Sequence, residues 1–286
     1  MDKIFEDRFW ESEDGLKLHY RYYDGPEDRP PLFCLHGLTR NARDFEQLAA
    51  RYAGEWRVFV PEMRGRGDSD YAKDSMTYTV PTYLGDLDRL FEHEGIDRFV
   101  SIGTSMGGLM TMLMAVRNPD RIAAALLNDI GPVLETGGIA HISSYLGQSR
   151  SFPTWMHAAR ALQEVQQPNH PTFQIEDWLK IVKRHMVLGQ NGRITYDYDM
   201  AIAEPFNAAN SAKQPDLWPA FESLSGRPLV LVRGEISGLL SVGTAHEMQR
   251  RIPDMELVTV PACGHAPTLD EPEVHAALDR MLGKIG

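Results

Sequence analysis

The group best suited to nucleophilic chemistry in this sequence is a serine between two glycines, in the run Gly103-Thr-Ser105-Met-Gly107. An apolar run at residues 99–102 precedes it and a Met-rich, helix-like stretch follows it, which predicts a sharp turn from a strand into a helix. Glycines on both sides remove Cβ atoms that would collide in such a turn, and the strained turn exposes the serine hydroxyl. These features favour Ser105 as a nucleophile.

The same turn predicts a place for negative charge. Because the helix begins at the serine, the backbone N–H of Met106 has no partner within the helix, and it lies at the positive end of the helix dipole. We therefore expect this N–H to be one donor of an oxyanion hole.

His265 is the histidine that we expect to act as the base for Ser105. It follows the last apolar run, residues 257–260, at the sheet edge where the carboxyl ends of parallel strands collect functional groups. There it could take the serine proton and return it to the leaving group. Cys263 lies two residues earlier, but no comparable turn exposes it, so we do not expect a cysteine nucleophile.

The elements that must position these side chains alternate between strands and helices. Residues 8–23 alternate around Asp14-Gly15 as in a hairpin, and the later apolar runs suit strands that are buried on both faces. We expect those strands at residues 32–35, 56–60, 99–102, 122–127, 228–234 and 257–260, and helices near 42–52, 81–91, 245–251 and after Pro272. This order predicts an α/β fold with a mostly parallel central sheet flanked by helices.

The alternation stops in the middle of the chain. From about residue 133 to 224 we find no clear strand, only helix-like spacing of apolar residues such as Trp155 and Trp178. So long a stretch inside a strand–helix alternation predicts a helical insertion. We expect residues 1–131 and 226–286 to form the core and residues 132–225 to form a helical cap over it.

Composition limits the classes of partner. A chain of 286 residues, 43% of them hydrophobic, can bury one sizeable core. Its net charge of −11 disfavours nucleic acid and anionic membranes as partners. The sequence shows neither a signal-peptide core nor an apolar run of membrane-spanning length, so we expect a cytoplasmic protein, either a monomer or a homodimer. Cys34 and Cys263 are expected to be buried and free.

Four motifs together carry a family resemblance. They are His36-Gly37 after an early strand, Arg64-Gly-Arg-Gly-Asp-Ser-Asp70, Gly103-Thr-Ser-Met-Gly-Gly108, and Gly264-His265-Ala-Pro267 followed by Glu271-Pro272-Glu273. In this order they resemble the α/β-hydrolase superfamily, of the esterase, epoxide-hydrolase and carbon–carbon-bond-hydrolase type with a helical cap. The resemblance covers nearly the whole chain and implies the α/β-hydrolase fold.

The resemblance also implies roles for particular residues. Ser105 and His265 match the family's nucleophile and base, and the backbone N–H of Leu38 matches its second oxyanion donor. His36 is similar to the family's structural histidine beside the oxyanion loop, so we assign it no proton transfer. His36 and Gly37 are expected to border the substrate.

The third member of the expected triad is missing from its usual place. In similar hydrolases an aspartate after the strand at residues 228–234 orients the histidine, but here Gly238 occupies that position. Glycine cannot hold the imidazole, and loss of the acid can lower turnover by about 10⁴ in a triad.

Asp129 and Glu235 are the candidate acids. Asp129 follows the strand after the nucleophile helix, where some family members, including haloalkane dehalogenases, carry their acid, although that acid aligns equally well with Asn128. Glu235 lies close to Gly238 in sequence. The remaining alternatives are a serine–histidine dyad, a water-assisted site or an altered residue 238.

Aromatic residues of the cap, Trp155 among them, are expected to form a pocket for a small apolar or aromatic substrate. We expect no cofactor, because metal, phosphate-loop and dinucleotide motifs are absent from the sequence. The favoured function is a serine hydrolase that cleaves a carboxylic ester or similar carbonyl bond through an acyl-enzyme. The alternatives are a ligand-binding protein of this fold with weakened catalysis, or a carbon–carbon-bond hydrolase of aromatic degradation.

Overall fold

The computed structural model describes residues 4–210 and 215–285. Within these residues, eight strands form one sheet and three short strands form a second. The strands are β1 (Glu6–Glu11), β2 (Lys17–Tyr23), β3 (Leu32–Leu35), β4 (Val58–Pro61), β5 (Phe99–Thr104), β6 (Ile122–Asn128), β7 (Ser151–Phe152), β8 (Met186–Leu188), β9 (Ile194–Tyr196), β10 (Leu229–Gly234) and β11 (Glu256–Val260).

The α-helices are α1 (Glu46–Tyr52), α2 (Val80–Glu94), α3 (Met106–Arg117), α4 (Thr136–Tyr145), α5 (Trp155–Gln166), α6 (Ile175–His185), α7 (Ala203–Asn210), α8 (Trp218–Glu222), α9 (Val242–Arg251) and α10 (Pro272–Leu282). Several of their ends follow from local sequence. Helix α2 has Pro81 in its first turn and stops at Gly95, whose φ of 64° suits glycine. Helix α9 is capped at its N-terminus by Ser241, whose side chain accepts a hydrogen bond from the Thr244 N–H.

The larger sheet confirms the predicted fold class. Its order is β1-β2-β4-β3-β5-β6-β10-β11. Strands β1 and β2 form the expected antiparallel hairpin, β2 also runs antiparallel to β4, and the remaining neighbours are parallel. The carboxyl ends of β3, β5, β6 and β10 therefore meet at one edge of the sheet.

Helices cover both faces of this sheet, which explains the continuous apolar runs. All residues of β3, β4, β6 and β10 are buried. Their side chains alternate between two apolar clusters: Phe33 and Leu35 belong to one, and Leu32 and Cys34 belong to the other. A strand buried on both faces has no polar positions to alternate with.

The segment between β6 and β10 is not wholly helical, so the sequence analysis was wrong to find no strand there. Strands β7, β9 and β8 pair antiparallel into a small sheet. Each is only two or three residues long, too short to show an alternating pattern in sequence. Helices α5 and α6 and this sheet surround a small apolar cluster that includes Trp178, Val182 and Ile194. By contrast, Phe221 of α8 packs into the main core.

No helix in the described part of the chain is both long enough and apolar enough to cross a lipid bilayer. Cys34 and Cys263 are free and buried. Cys34 lies in β3 as expected, whereas Cys263 lies in the loop after β11 rather than in a strand.

Candidate active site

Ser105 lies at the tip of the turn between β5 and α3. Its φ of 52° and ψ of −114° are strained for a residue with a side chain. The flanking glycines permit this turn, because a Cβ on Gly103 would lie 2.5 Å from the carbonyl carbon of Gly107. A Cβ on Gly107 would overlap the carbonyl oxygen of Leu35 in β3. The turn thus requires both glycines, as the sequence pattern indicated.

His265 lies beside the serine, in the loop after β11. Its Nε2 is 3.0 Å from Ser105 Oγ and its Nδ1 is 2.8 Å from Asp129 Oδ2. The imidazole is 18% exposed. Its Nε2 edge faces Ser105 and the site, while Asp129 holds its Nδ1 edge. The Gly264 N–H donates to the Asn169 carbonyl at 2.5 Å, which fastens this loop to the segment after α5.

Asp129 is the carboxylate that the structure brings to the histidine. It follows β6 with a φ of 54°, a conformation that aspartate tolerates better than most residues. The carboxylate is fully buried and accepts hydrogen bonds from the Gly234 N–H at 2.9 Å and from Ser237 Oγ at 2.6 Å. Such donors compensate a buried carboxylate for the hydrogen bonds to water that it lacks.

Glu235, the other candidate acid, and Asn128 form their hydrogen bonds with other groups, not with His265. Glu235 Oε2 accepts a hydrogen bond from the Ala262 N–H at 2.8 Å. Asn128 donates from Nδ2 to the Pro267 carbonyl at 2.9 Å. At Gly238 a Cβ would meet no atom within 4 Å, and this residue borders a cavity beside Ser105.

The backbone that faces Ser105 is shaped by a tight turn after β3. The Arg40 N–H donates to the Gly37 carbonyl at 3.1 Å, and the Leu38 carbonyl accepts from Arg66 Nε at 2.9 Å. Within the described residues, the N–H groups of Leu38 and Met106 make no hydrogen bond, and Leu38 and Ser105 border the same cavity. Two donors are therefore available where an oxyanion would form.

Arg66 and Ser237 have roles that the sequence analysis missed. Arg66 is buried and also donates from Nη1 to the Arg64 carbonyl at 2.7 Å and to the Tyr83 hydroxyl at 2.8 Å, so it fixes the Leu38 turn. The motif at residues 64–70 includes Arg66 and so marked it as a candidate, but the motif does not indicate what the side chain does. Nothing in the sequence around Ser237 indicates its bond to Asp129, which lies 108 residues away.

His36 lies under the turn and does not border either of the two cavities at the site. Its Nδ1–H donates to the Gly37 carbonyl at 2.7 Å, and its Nε2 accepts from the Met63 N–H at 3.1 Å. Burial lowers the pKa of His36 to about 4, so the ring is neutral. Gly37 does border the smaller cavity.

Trp155, which we expected in the pocket wall, also borders neither cavity. It packs instead against the small apolar cluster between α5 and α6. Among the cap aromatics, Tyr145, Trp178, Tyr196 and Tyr198 do reach the cavities. Packing within the segment thus takes most of these side chains.

Two adjoining cavities meet at His265. The smaller, about 140 Å³, contains Ser105, Leu38 and Gly238 in its walls. The larger, about 270 Å³, extends between the sheet edge and helices α5 and α6. Arg40, Tyr145 and His265 border both. Together these cavities can hold a small molecule with its reacting bond next to Ser105.

Comparison with known proteins identifies the family of the fold. Residues 30–272 match the family model described as the alpha/beta hydrolase fold. The chain is 34% identical over 263 residues to a 3-hydroxybutyrate-oligomer hydrolase from Cupriavidus necator, with 90% of this chain and 89% of that protein covered. It is 25% identical over 248 residues to a 2-(acetamidomethylene)succinate hydrolase from Mesorhizobium japonicum, covering 86% and 84% of the two chains.

Among solved structures, the chain is similar to an alpha/beta hydrolase from Novosphingobium aromaticivorans. The two share 58% sequence identity and a TM-score of 0.96, and each chain is covered completely.

Proposed function

This chain belongs to the α/β-hydrolase family, and within that family we propose that it is a serine hydrolase that cleaves a carboxylic ester of a small substrate through an acyl-enzyme. In this proposal Ser105 is the nucleophile, His265 the base and Asp129 the acid that orients the histidine. The backbone N–H groups of Leu38 and Met106 form the oxyanion hole.

The reaction begins when Ser105 Oγ attacks the ester carbonyl carbon and its proton passes to His265 Nε2. The carbonyl oxygen becomes an oxyanion, which accepts hydrogen bonds from Leu38 and Met106. The tetrahedral intermediate then collapses, the C–O bond to the alcohol breaks, and His265 returns the proton to the leaving alcohol.

A water molecule completes the cycle. His265 takes a proton from the water, whose oxygen attacks the acyl carbon. The bond to Ser105 breaks, the serine regains its proton, and the carboxylic acid leaves. Asp129 keeps the imidazole in the tautomer with hydrogen on Nδ1 and stabilises the imidazolium in both halves of the reaction.

The observation that carries this proposal is the continuous line of hydrogen bonds from Ser105 Oγ through His265 to a buried, doubly supported carboxylate. It also bears on the binding-protein alternative, whose premise was that Gly238 leaves the histidine without an acid. Asp129 occupies that position beside Nδ1, so a loss of catalysis no longer follows from Gly238.

The test is active-site labelling combined with steady-state kinetics. A fluorophosphonate should label the protein once, on the peptide that contains Ser105, and 4-nitrophenyl butyrate should be turned over continuously at a constant rate. Labelling at another residue would contradict the assignment of the nucleophile. One burst of 4-nitrophenol per protein with negligible turnover afterwards would favour the binding protein.

A further inference from the structure

The larger cavity is more cationic than the protein around it. The whole chain has a net charge of −11, yet the walls of this cavity contain three arginines, Arg40, Arg150 and Arg184, and one acidic residue, Asp44. Charges gathered in a concave, partly enclosed site act more strongly on a ligand than the same charges on an open surface. The cavity thus differs from the apolar pocket that the sequence predicted.

Arg40 lies at the junction of the two cavities, in the same turn as Leu38. Its Nη1 lies against the His185 ring, 2.8 Å from Nε2, and its Nε is 3.8 Å from Asp44 Oδ2. Among the described residues, Nη2 has no hydrogen-bond partner. These contacts fix the guanidinium group but leave one edge of it available to a ligand.

Two histidines of the cavity wall, His170 and His185, add no charge to oppose or replace the arginines. Burial and the nearby charge of Arg40 lower the pKa of His185 and of His170 to about 4. Burial by itself would raise the pKa of Asp44, but His185, Arg40 and Arg184 hold it well below its usual value. Asp44 is therefore a carboxylate that is already matched by cationic and donor groups of the wall.

The two remaining arginines differ in their partners. Arg184 forms an ion pair with Asp270, whose Oδ2 is 2.6 Å from Nη2. Arg150 is exposed at the cavity and makes no hydrogen bond or ion pair with another described residue. The described part of the cavity thus has one arginine without a carboxylate partner and another, Arg40, with a free edge.

Neutral hydroxyl donors also line this cavity. Tyr145, Tyr196 and Tyr198 border the cavity, and burial raises the pKa of Tyr198 to about 12 and raises those of Tyr145 and Tyr196. They therefore keep their protons and can donate to a negatively charged group. Arginine together with tyrosine hydroxyls is suited to binding a carboxylate.

We propose that the larger cavity binds a free carboxylate of the substrate through Arg40 and Arg150 while the ester bond lies at Ser105. The substrate class is then an anionic ester, such as an oligoester of a short hydroxy acid, which has ester bonds along its length and a carboxylate at one end. This inference rests on the proposed ester hydrolysis and specifies its substrate.

The kinetic test compares one ester with and without its charge. The probes are the linear dimer of 3-hydroxybutyrate, which ends in a carboxylate, and the methyl ester of the same dimer, which is neutral. We expect kcat/KM for the acid to exceed that for the capped dimer by about 10- to 100-fold, the range for a hydrogen bond to a charged group. Equal values for the two dimers would overturn the proposal.

Substitutions test whether Arg40 and Arg150 cause the preference for the acid over the capped dimer. Arg150→Gln should lower kcat/KM for the acid by about tenfold or more and change that for the capped dimer by less than threefold, and Arg40→Gln should lower the acid-to-capped ratio of kcat/KM by about tenfold or more. The control is Arg89→Gln, which removes one exposed arginine on α2 that pairs with Glu92 at 3.5 Å and borders neither cavity. It should leave the acid-to-capped ratio unchanged, and an equal fall in this variant would show only a long-range charge effect and overturn the proposal.

A binding measurement separates this inference from the proposed chemistry. In Ser105→Ala, calorimetry should show that the free acid binds at least tenfold more tightly than the capped dimer, and that Arg150→Gln in the same background removes the difference. Arg150 is exposed, so this variant does not depend on repacking of the fold. If Ser105→Ala still hydrolysed esters while binding kept its charge preference, the proposed function would fail and the carboxylate site would stand. If binding showed no charge preference, the carboxylate site would fail.

Discussion

Two histidines of this protein each have Nδ1 at 2.8 Å from a buried carboxylate: His265 beside Asp129, and His19 beside Glu62. The two pairs differ at the second ring nitrogen. Nε2 of His265 faces the hydroxyl of Ser105 at 3.0 Å, whereas Nε2 of His19 faces the carboxylate of Asp7 at 3.0 Å. A hydroxyl can give a proton to the ring, but a carboxylate only accepts one.

Exposure separates the pairs as well. The His19 side chain is 1% exposed and lies within the sheet, on β2, while the His265 side chain is 18% exposed and borders the cavities. Burial by itself lowers the pKa of His19, but the hydrogen bonds to Glu62 and Asp7 and the charges of Glu62 and Asp68 raise it. His19 is thus a structural cation that joins β1 and β2 to the loop after β4. A histidine–carboxylate pair becomes a base only where the second nitrogen meets a proton donor at a cavity.

The largest expected effect is on kcat, when the hydroxyl of Ser105 is removed from beside the His265–Asp129 pair. Ser105→Ala should lower kcat by about 10⁵ to 10⁶, as for removal of the nucleophile from other serine triads, with little change in melting temperature because Ser105 lies at the cavity. Activity toward 4-nitrophenyl butyrate and thermal unfolding measure the two effects. The matched change in the other pair, His19→Gln, should lower the melting temperature and leave kcat of the folded enzyme within about threefold. Activity near the parent level in Ser105→Ala would remove the distinction between the pairs.

The next effect concerns the stability of the structural pair. Glu62→Gln should lower the free energy of unfolding by about 3 kcal/mol, because it leaves the buried His19 cation with less compensation. Glu62 also accepts from the N–H groups of Ala42 and Asp68 at 2.8 and 2.7 Å, and glutamine can satisfy only part of this set. Urea unfolding measures the change. The control is Glu92→Gln, which removes one partner of an exposed ion pair and should lower the free energy of unfolding by less than about 1 kcal/mol. Equal losses of stability in Glu62→Gln and Glu92→Gln would contradict the structural role of Glu62.

The same pair predicts a pH window. A histidine whose pKa is raised on folding stabilises the protein below its ordinary value of 6.5 and loses that contribution as pH rises through the folded pKa. Burial by itself would raise the pKa of Glu62, but His19 and the backbone donors lower it. Its contribution is present above 4.5 and disappears as pH falls through the folded pKa. The stability difference between the parent and Glu62→Gln should therefore be largest between pH 4.5 and 6.5. A difference independent of pH would contradict a charged pair.

The smallest effect is expected at Ser237, which donates a hydrogen bond to Asp129, the proposed acid. Ser237→Ala should lower kcat by about tenfold with KM nearly unchanged, because one charge-assisted hydrogen bond is lost and the carboxylate becomes less well positioned. Ser237→Thr keeps a hydroxyl and should restore most of kcat. If both variants lost the same activity, the loss would come from packing rather than from the hydrogen bond.

The parts of the fold that the sequence predicted are those fixed by local rules. The Ser105 turn requires glycine at 103 and 107 for steric reasons, and the buried strands show as apolar runs, so both could be recognised from neighbouring residues alone. Strands β7, β8 and β9 were missed because two or three residues are too few to show an alternation of apolar and polar side chains. β7 precedes α5, and β8 and β9 follow α6, so β7 pairs with a strand more than 40 residues further along the chain.

The chemistry that the sequence left open depends on contacts between distant residues. Asp129 could be named as a candidate, but only the parallel pairing of β6 with β10 brings the Gly234 N–H and Ser237 to its carboxylate. The cationic cavity has the same origin, because Arg40 and Arg150 lie 110 positions apart in the chain and neither has a motif that marks a ligand. The negative net charge of the whole sequence even indicated the opposite sign of charge from that found in this cavity.

The central claim is that Asp129 orients His265 in place of the aspartate that Gly238 replaces. It is tested most directly by kcat of Asp129→Asn and of the double variant Asp129→Asn with Gly238→Asp, each with its melting temperature. Asp129→Asn should lose about 10³ to 10⁴ in kcat, and Gly238→Asp should restore part of that loss, because a Cβ at position 238 meets no atom within 4 Å. Full activity in a folded Asp129→Asn enzyme would contradict the claim and leave a Ser105–His265 dyad.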